Sequence, residues 1–250
     1  MQVISRKRNV EAKPDLDQPS TGAQISLRAV TYLEIASVII SVLITVWTII
    51  PFQPPQRWLV AVPGALALVL IINSQRVRRE SLRELGFSTR YFGSAARLLI
   101  LPTLIACAVF AVIGYANDSF HRNSHFWSTL LFLPFWGTLQ QYVLQGFIYR
   151  RIRYLLVETN APPHEQRRQV NISIIATAVI FAFVHLPNPA LTVLTLVGGL
   201  AWSWIYERAP NLFALGLSHA LMSLILITSL PPWLLESMSI GYKHFLYQKF

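Results

Sequence analysis

Long apolar segments dominate this 250-residue chain and limit the folds open to it. A bilayer has a hydrocarbon core roughly 30 Å thick, so a helix needs about 20 mostly apolar residues to cross it. Several such stretches are present. Hydrophobic residues make up 54% of the chain and charged residues only 13%, a balance far from that of soluble proteins. We therefore expect a helical integral membrane protein.

The apolar segments predict an all-α bundle of about seven transmembrane spans. We place these spans at residues 30–50, 58–73, 95–115, 126–149, 170–185, 190–206 and 212–230. Residues 1–29 carry basic side chains among Pro, Asp, Gln and Ser, so we expect a disordered tail. The bundle then runs from 30 to 232. Residues 233–250 mix aromatic side chains with two lysines, a composition typical of the membrane interface.

The distribution of positive charge predicts the orientation of the bundle. Seventeen of the 21 Lys and Arg residues lie on one side of these spans, and the other four are Arg57, Arg122, Lys243 and Lys249. Basic loops stay in the cytoplasm. We therefore expect the N-terminus and the basic loops to be cytoplasmic.

The formal net charge of +10 also raises the possibility of a nucleic-acid-binding protein. Here, however, the basic residues flank apolar segments and do not form a stripe interleaved with aromatic side chains. That arrangement is typical of membrane-protein loops. We therefore expect the bilayer, and not nucleic acid, to be the partner of this charge.

Polar side chains inside the spans are the best indication of function, because polar groups in lipid are costly. They occur as Gln140, Gln141 and Gln145 in the fourth span, His185 at the end of the fifth, and His219 with Ser223 in the seventh. Residues three, four and seven apart share a helix face, so Thr138, Gln141 and Gln145 should form one stripe. Gln140 points about 100° away, toward a neighbouring helix.

Each of these residues also has a purely structural interpretation. Glutamine, serine and threonine often join helices by hydrogen bonds, and a single buried histidine is usually satisfied by a backbone carbonyl. Two histidines together with a three-glutamine helix in one small bundle favour a shared polar site. A transporter or channel would need a polar pathway across the whole membrane, whereas these residues cluster.

The order and spacing of these motifs resemble the CPBP intramembrane proteases, the group of CAAX prenyl proteases and abortive-infection proteins. Phe181 and His185 match the family's Phe-x-x-x-His motif, and His219 matches its His-x-x-x-Asn motif with Ser223 at the asparagine position. Gly146, Arg150, Leu85-Gly and Asn211-Leu-Phe also look like the family. The resemblance covers about residues 82–224. It implies an endopeptidase of the bacterial cytoplasmic membrane that acts on membrane-associated or lipidated peptides.

The chain departs from the family in its first motif, which is Glu-Glu-x-x-x-Arg. Gln140 and Gln141 occupy the glutamate positions and Gln145 occupies the arginine position. The resemblance implies that the first glutamate and the histidines activate water, but glutamine cannot accept a proton as glutamate does. The alternative is therefore a pseudoprotease that binds a membrane peptide or partner helix without cutting it.

A metal site would have to be built on the two histidines. His185 and His219 would supply two good nitrogen ligands for zinc, but zinc needs at least a third protein ligand, and an amide oxygen is a poor one. Glu34 is the only carboxylate within a predicted span, and it lies about one turn from the inner end. We expect it to pair with Arg28 or with an arginine of an inner loop.

Overall fold

The computed structural model describes residues 21–52, 56–120, 126–235 and 238–247 of the chain. All regular structure in these ranges is helical, which confirms the all-α class. In chain order the elements are α1 (Thr21–Ile44), π1 (Thr45–Ile49), α2 (Ile50–Phe52), a 3-10 helix (Arg57–Ala61), α3 (Val62–Val77), α4 (Phe92–Ala116), α5 (Phe126–Gln141), π2 (Tyr142–Tyr149), α6 (Arg150–Leu156), α7 (Pro163–Phe183), α8 (Pro189–Arg208), α9 (Leu212–Ser229), α10 (Pro232–Leu235) and α11 (Tyr242–Tyr247).

Five helices in the described ranges are long and apolar enough to cross a membrane. They are Ser26–Ile49, Trp58–Val77, Phe92–Ala116, Pro189–Arg208 and Leu212–Ser229, and they coincide with five of the predicted spans. The predicted fourth span is divided between α5 and π2, and the predicted fifth runs through α7 into the turn that follows Phe183. The total of seven spans and the cytoplasmic N-terminus stay predictions.

The first helix begins earlier than the sequence indicates. The predicted disordered tail ran to residue 29, but α1 begins at Thr21, so the boundary was misplaced. Residues 21–28 mix polar and apolar residues and form one continuous helix with the apolar segment that follows. Residues 1–20 of the predicted tail lie outside the described ranges.

The segment π2 lies between two hydrophobic cores. Phe147 and Ile148 pack with α1, α3 and α6 around Ile71, in one cluster. Leu144 and Tyr149 face the other way, into a cluster formed by α4, α7, α8 and α9. A π-helix closes its hydrogen bonds over one residue more than an α-helix does, so its side chains point in more directions. The same eight residues therefore join both halves of the bundle.

An ion-pair cluster fixes the end of the bundle that carries the basic loops, which we call the basic end. Arg151 is 2% exposed and donates to both carboxylate oxygens of Glu80 at 2.9 and 2.8 Å. Arg150 donates to the same carboxylate at 2.9 Å. Glu34 lies 2.9 Å from Arg78 and 3.4 Å from Arg151, which confirms the expected pairing of Glu34 with an inner-loop arginine.

A C-terminal segment crosses the opposite end of the bundle. We call residues 231–247 the C-terminal strap; residues 231–235 and 238–247 of it are described. The buried Asn188 donates to the carbonyl oxygens of Leu235 and Ser239 at 2.8 and 3.1 Å. The Gly241 amide donates to the Leu186 carbonyl at 2.8 Å. The strap therefore closes over the turn that follows His185, while its predicted place at the membrane interface stays a prediction.

Candidate functional site

The centre of the site is a contact between Gln141 on α5 and His219 on α9. The Gln141 Nε2 lies 3.2 Å from His219 Nδ1, and the two side chains are 0% and 8% exposed. An amide nitrogen only donates, so the histidine nitrogen accepts. The neutral imidazole of His219 then carries its proton on Nε2. The clustering of polar residues favoured a shared site, and the packing of α5 along α9 places these two residues in contact.

Gln145 contacts a different helix. Its Nε2 donates to the Ser203 Oγ of α8 at 3.0 Å, and its side chain is fully buried. The predicted stripe assumed α-helical geometry from Thr138 to Gln145, but π2 begins at Tyr142. Because a π-helix turns less per residue, Gln145 points to α8 and Gln141 points to α9. The two glutamines therefore lie in one buried region but do not share a partner.

The side-chain oxygens of these two glutamines stand out. Gln141 Oε1 and Gln145 Oε1 are both buried and accept no hydrogen bond from the residues that the structure describes. A buried acceptor without a partner costs roughly 1–3 kcal/mol, so native proteins seldom leave one. The region is therefore suited to a bound group that donates hydrogen bonds.

His185 lies in the turn directly after α7. Its Nδ1 is 2.7 Å from the Phe181 carbonyl oxygen, which can only accept, so the neutral ring keeps its lone pair on Nε2. The Phe181 ring contacts both imidazoles, with centroid distances of 4.8 Å to His185 and 6.2 Å to His219. Phe181 therefore separates and supports the two histidines.

Two predicted site residues stand apart from this network. Gln140 is half-buried and makes no side-chain hydrogen bond within the described ranges, although it was expected to reach a neighbouring helix. Ser223 is buried one turn beyond His219 on α9, again without a hydrogen bond to a described residue. The geometry therefore joins Gln141, Gln145, His185 and His219 more closely than it joins these two.

The structure adds residues that the sequence did not single out. Trp202 stacks on His219, Ser203 accepts from Gln145, and Gln75 donates to the Gly146 carbonyl of π2 at 3.1 Å. Tyr142 in turn donates to Gln75 Oε1 at 2.7 Å. Ser203 and Gln75 are polar residues within apolar helices, a signal that could have marked them. Nothing in the sequence pairs α8 with α9 at Trp202.

The donors present do not fit a zinc site. Across the described residues, no group of three or more His, Cys, Asp and Glu side chains is placed to hold a metal ion. Catalytic zinc normally has three protein ligands. In addition, the Gln141 amide leaves the proton of the neutral His219 ring on Nε2, so of the two histidines only His185 presents a free ring lone pair. No chemical step is therefore assigned to a metal here.

Comparisons with known proteins identify the region that contains this site. A family model described as "Type II CAAX prenyl endopeptidase Rce1-like" matches residues 121–225, which include all the site residues predicted from the sequence. No curated protein and no solved structure gives a significant match. Over this region, the chain is similar to the type II CAAX prenyl endopeptidases.

Proposed function

We propose that this protein binds a membrane-associated peptide segment at the Gln141–His219 site and holds it without hydrolysing it. One observation carries the proposal. The position where the family has a proton-accepting carboxylate holds an amide, and that amide donates to His219 Nδ1. An amide matches a carboxyl group in size and in hydrogen bonding but has neither its charge nor its basicity.

The carboxylates of the basic end do not replace the missing one. Glu34 and Glu80 are paired with Arg78, Arg150 and Arg151. Within the described ranges, no carboxylate is hydrogen-bonded to Gln141, Gln145, His185 or His219. Compared with the family motif, glutamines replace both the acidic and the basic residues. The interior is therefore neutral and hydrogen-bonded, which avoids the cost of an isolated buried charge.

Peptide binding follows from the two unpartnered glutamine oxygens. A peptide backbone carries one N–H donor per residue, and these donors must find acceptors once they leave water. Gln141 Oε1 and Gln145 Oε1 are buried acceptors that no described residue satisfies. A peptide segment in this region would give its N–H donors acceptors and would give the two glutamine oxygens donors. The same donor chemistry fits a lipidated peptide and an unmodified membrane-anchored one.

The direction of entry follows from the predicted orientation. We infer that the basic end faces the cytoplasm of a bacterial cell, because 17 of the 21 Lys and Arg residues lie on that side. A peptide would then reach Gln141 from the cytoplasm or the inner leaflet. Labelling tests this directly: in a Cys107→Ser background, a cysteine at exposed Arg83 should react with a membrane-impermeant reagent only after the cytoplasmic side is opened.

Binding measurements on the full-length protein in lipid nanodiscs test the proposal. With a panel of fluorescent membrane-anchored peptides, both lipidated and unmodified, we expect binding by the wild type and roughly tenfold weaker binding by Gln141→Leu, equivalent to about 1.4 kcal/mol. Thr195→Val is the matched control, because that hydroxyl bonds only within its own helix, to Leu191 and Thr192. Absence of binding by the wild type to every peptide contradicts the proposal.

A second function is favoured by the histidine tautomers. His185 presents a lone pair on Nε2, and His219 presents an N–H on Nε2. In a hydrolytic mechanism, His185 would take a proton from water as the water oxygen attacks the peptide carbonyl, and His219 would donate to the developing oxyanion. His185 would then return the proton to the amide nitrogen as the C–N bond breaks and the amine leaves. Cleavage that depends on both histidines would establish this function in place of the first.

A further inference from the structure

Trp202 of α8 lies face to face with His219. The two ring centroids are 4.7 Å apart and the ring planes differ by 7°. The side chain of Trp202 belongs to the buried core, with 8% exposure. Phe181 approaches the same pair edge-on, 6.3 Å from the Trp202 ring and 6.2 Å from the His219 ring. The imidazole is therefore held against aromatic surfaces on more than one side.

Hydrogen bonds fix the indole in turn. The Trp202 Nε1 donates to the Ser218 Oγ at 3.2 Å, and Ser218 Oγ lies 2.9 Å from the Thr103 Oγ1 of α4. Ser218 directly precedes His219 on α9. This chain of contacts joins α4, α8 and α9 beside the site, so the plane of the indole is set by three helices.

The plane of His219 needs such support. Rotation about the last side-chain torsion of histidine is broad and roughly two-fold, so local preference does not decide which ring edge faces Gln141. A half-turn of the ring would replace Nδ1 by a carbon opposite the Gln141 amide. Any smaller rotation would force the ring edge into the stacked indole. The stack therefore fixes the plane of the ring, and within that plane the Gln141 amide selects Nδ1 over the carbon.

We propose that Trp202 is a positioning residue for the peptide site: it holds the His219 ring so that Nδ1 accepts from Gln141 and Nε2–H stays available to a ligand. Ser218 supports it by fixing the indole. The relevance to peptide binding rests on the proposed function, but the orientation and tautomer of His219 are properties of the unliganded protein and can be measured alone.

Nitrogen NMR on protein labelled at histidine provides that measurement, because the shifts of the two ring nitrogens report which one carries the proton. His219→Ala assigns the signal. We expect a single Nε2–H tautomer in the wild type and in Trp202→Phe, which keeps a stacking ring, and a mixture of tautomers in Trp202→Ala. Trp204→Ala is the matched control, because Trp204 is 41% exposed and its ring contacts Arg208.

Peptide affinity forms the second arm. Trp202→Ala should weaken peptide binding roughly tenfold, whereas Trp202→Phe and Trp204→Ala should bind as the wild type does. If folded Trp202→Ala shows the wild-type His219 signal, the proposal is overturned. It is also overturned if the His219 signal changes in Trp202→Ala but this variant binds a peptide as tightly as the wild type does. If the wild type binds no peptide, the proposed function fails, and the NMR arm alone decides the orientation of His219.

A folding failure of Trp202→Ala leaves Trp202→Leu as the deciding variant. Leucine fills the position but provides no ring to stack on His219, so a second His219 tautomer should appear. The Trp202→Phe protein then serves as the folded reference with a stacking ring. A single, wild-type His219 signal in Trp202→Leu overturns the proposal in that case.

Discussion

Gly137 of α5 lies directly against the backbone of Gly216 in α9. A β-carbon on Gly137 would come within 2.7 Å of the Gly216 carbonyl oxygen, and one on Gly216 would come within 2.7 Å of the Thr138 Cα. Small residues allow such close approach of helices in a membrane. Gln141 follows Gly137 by one turn, and His219 follows Gly216 by about one turn. The close crossing therefore brings these two side chains into contact.

Gly216→Ala should separate α5 from α9 and break the Gln141–His219 hydrogen bond. Because the Thr138 Cα is among the atoms that the β-carbon would meet, a side-chain movement alone cannot relieve the strain, and overpacking of this kind costs roughly 1–3 kcal/mol. Thermal unfolding in detergent and the His219 nitrogen shifts measure the two effects. Gly64→Ala is the control, since a β-carbon on Gly64 would meet nothing within 4 Å. Equal stability of Gly216→Ala and Gly64→Ala would refute this explanation.

The site was only partly predictable, and the reason is visible at Gln145. Apolar length predicted the helices, and the clustering of polar residues favoured a shared site that includes Gln141 and His219. The stripe through Thr138, Gln141 and Gln145 assumed 3.6 residues per turn, whereas π2 begins at Tyr142 and redirects Gln145 to Ser203. A π-helix has no simple sequence signature, because tertiary contacts such as that between Gln75 and Gly146 satisfy its backbone. The stacking of Trp202 on His219 likewise depends on helix pairing.

Arg151→Ala should be among the most destabilising substitutions at the basic end. Its guanidinium is 2% exposed and contacts Glu80, Glu34 and Ser74, so its removal leaves Glu80 without its two-pronged partner and Glu34 with Arg78 alone. Breaking one partner of a buried pair costs about 3–5 kcal/mol. The matched control is Arg153→Ala. The Arg153 side chain is 44% exposed, so its ion pair with Glu207 should contribute about 0–1 kcal/mol to stability. Similar unfolding temperatures for both variants would contradict the cluster's role.

Acid should remove the contribution of Glu80. Burial raises the pKa of Glu80, but hydrogen bonds and charge from Arg151 and Arg150 outweigh it and hold the pKa below 4.5. A carboxyl whose pKa is lowered on folding stabilises the protein above its unfolded pKa and loses that contribution as pH falls through the folded value. The unfolding temperature of Glu80→Gln should therefore lie well below that of the wild type at pH 7, and the gap should narrow below pH 4.5.

Exposed Glu158 provides the control for this pH series, because Glu158→Gln should show only a small gap to the wild type at every pH. The difference in unfolding temperature between Glu80→Gln and the wild type could instead stay constant down to about pH 3. That result would show that the ionised form of Glu80 does not stabilise the fold.

Asn188→Ala should release the C-terminal strap. The Asn188 side chain is fully buried, accepts from Leu191 N at 3.0 Å and donates to the carbonyls of Leu235 and Ser239. Loss of three hydrogen bonds at about 1 kcal/mol each predicts roughly 3 kcal/mol of destabilisation. Limited proteolysis should also cut the strap faster. Asn117→Ala is the control, because it removes one exposed hydrogen bond to the Ile113 carbonyl. Its stability and its rate of proteolysis should stay near those of the wild type.

Restoring the family motif tests whether the neutral site is a lost catalytic one. The triple variant Gln140→Glu, Gln141→Glu, Gln145→Arg returns both charge signs together, whereas Gln141→Glu alone buries one carboxylate without its arginine partner. We expect cleavage of a membrane-anchored peptide by the triple variant and lower stability, without cleavage, for the single variant. A triple variant that folds, binds peptide and stays inactive would contradict this view of the site.

Cleavage by the unaltered protein is the most direct measurement of the central claim. Wild-type protein in nanodiscs, incubated with the membrane-anchored peptides that it binds, is analysed by mass spectrometry beside His185→Ala and His219→Ala. We predict intact peptide in all three samples, with weaker binding by His219→Ala. Peptide products formed by the wild type and absent from both histidine variants would contradict the account and assign hydrolysis to this site.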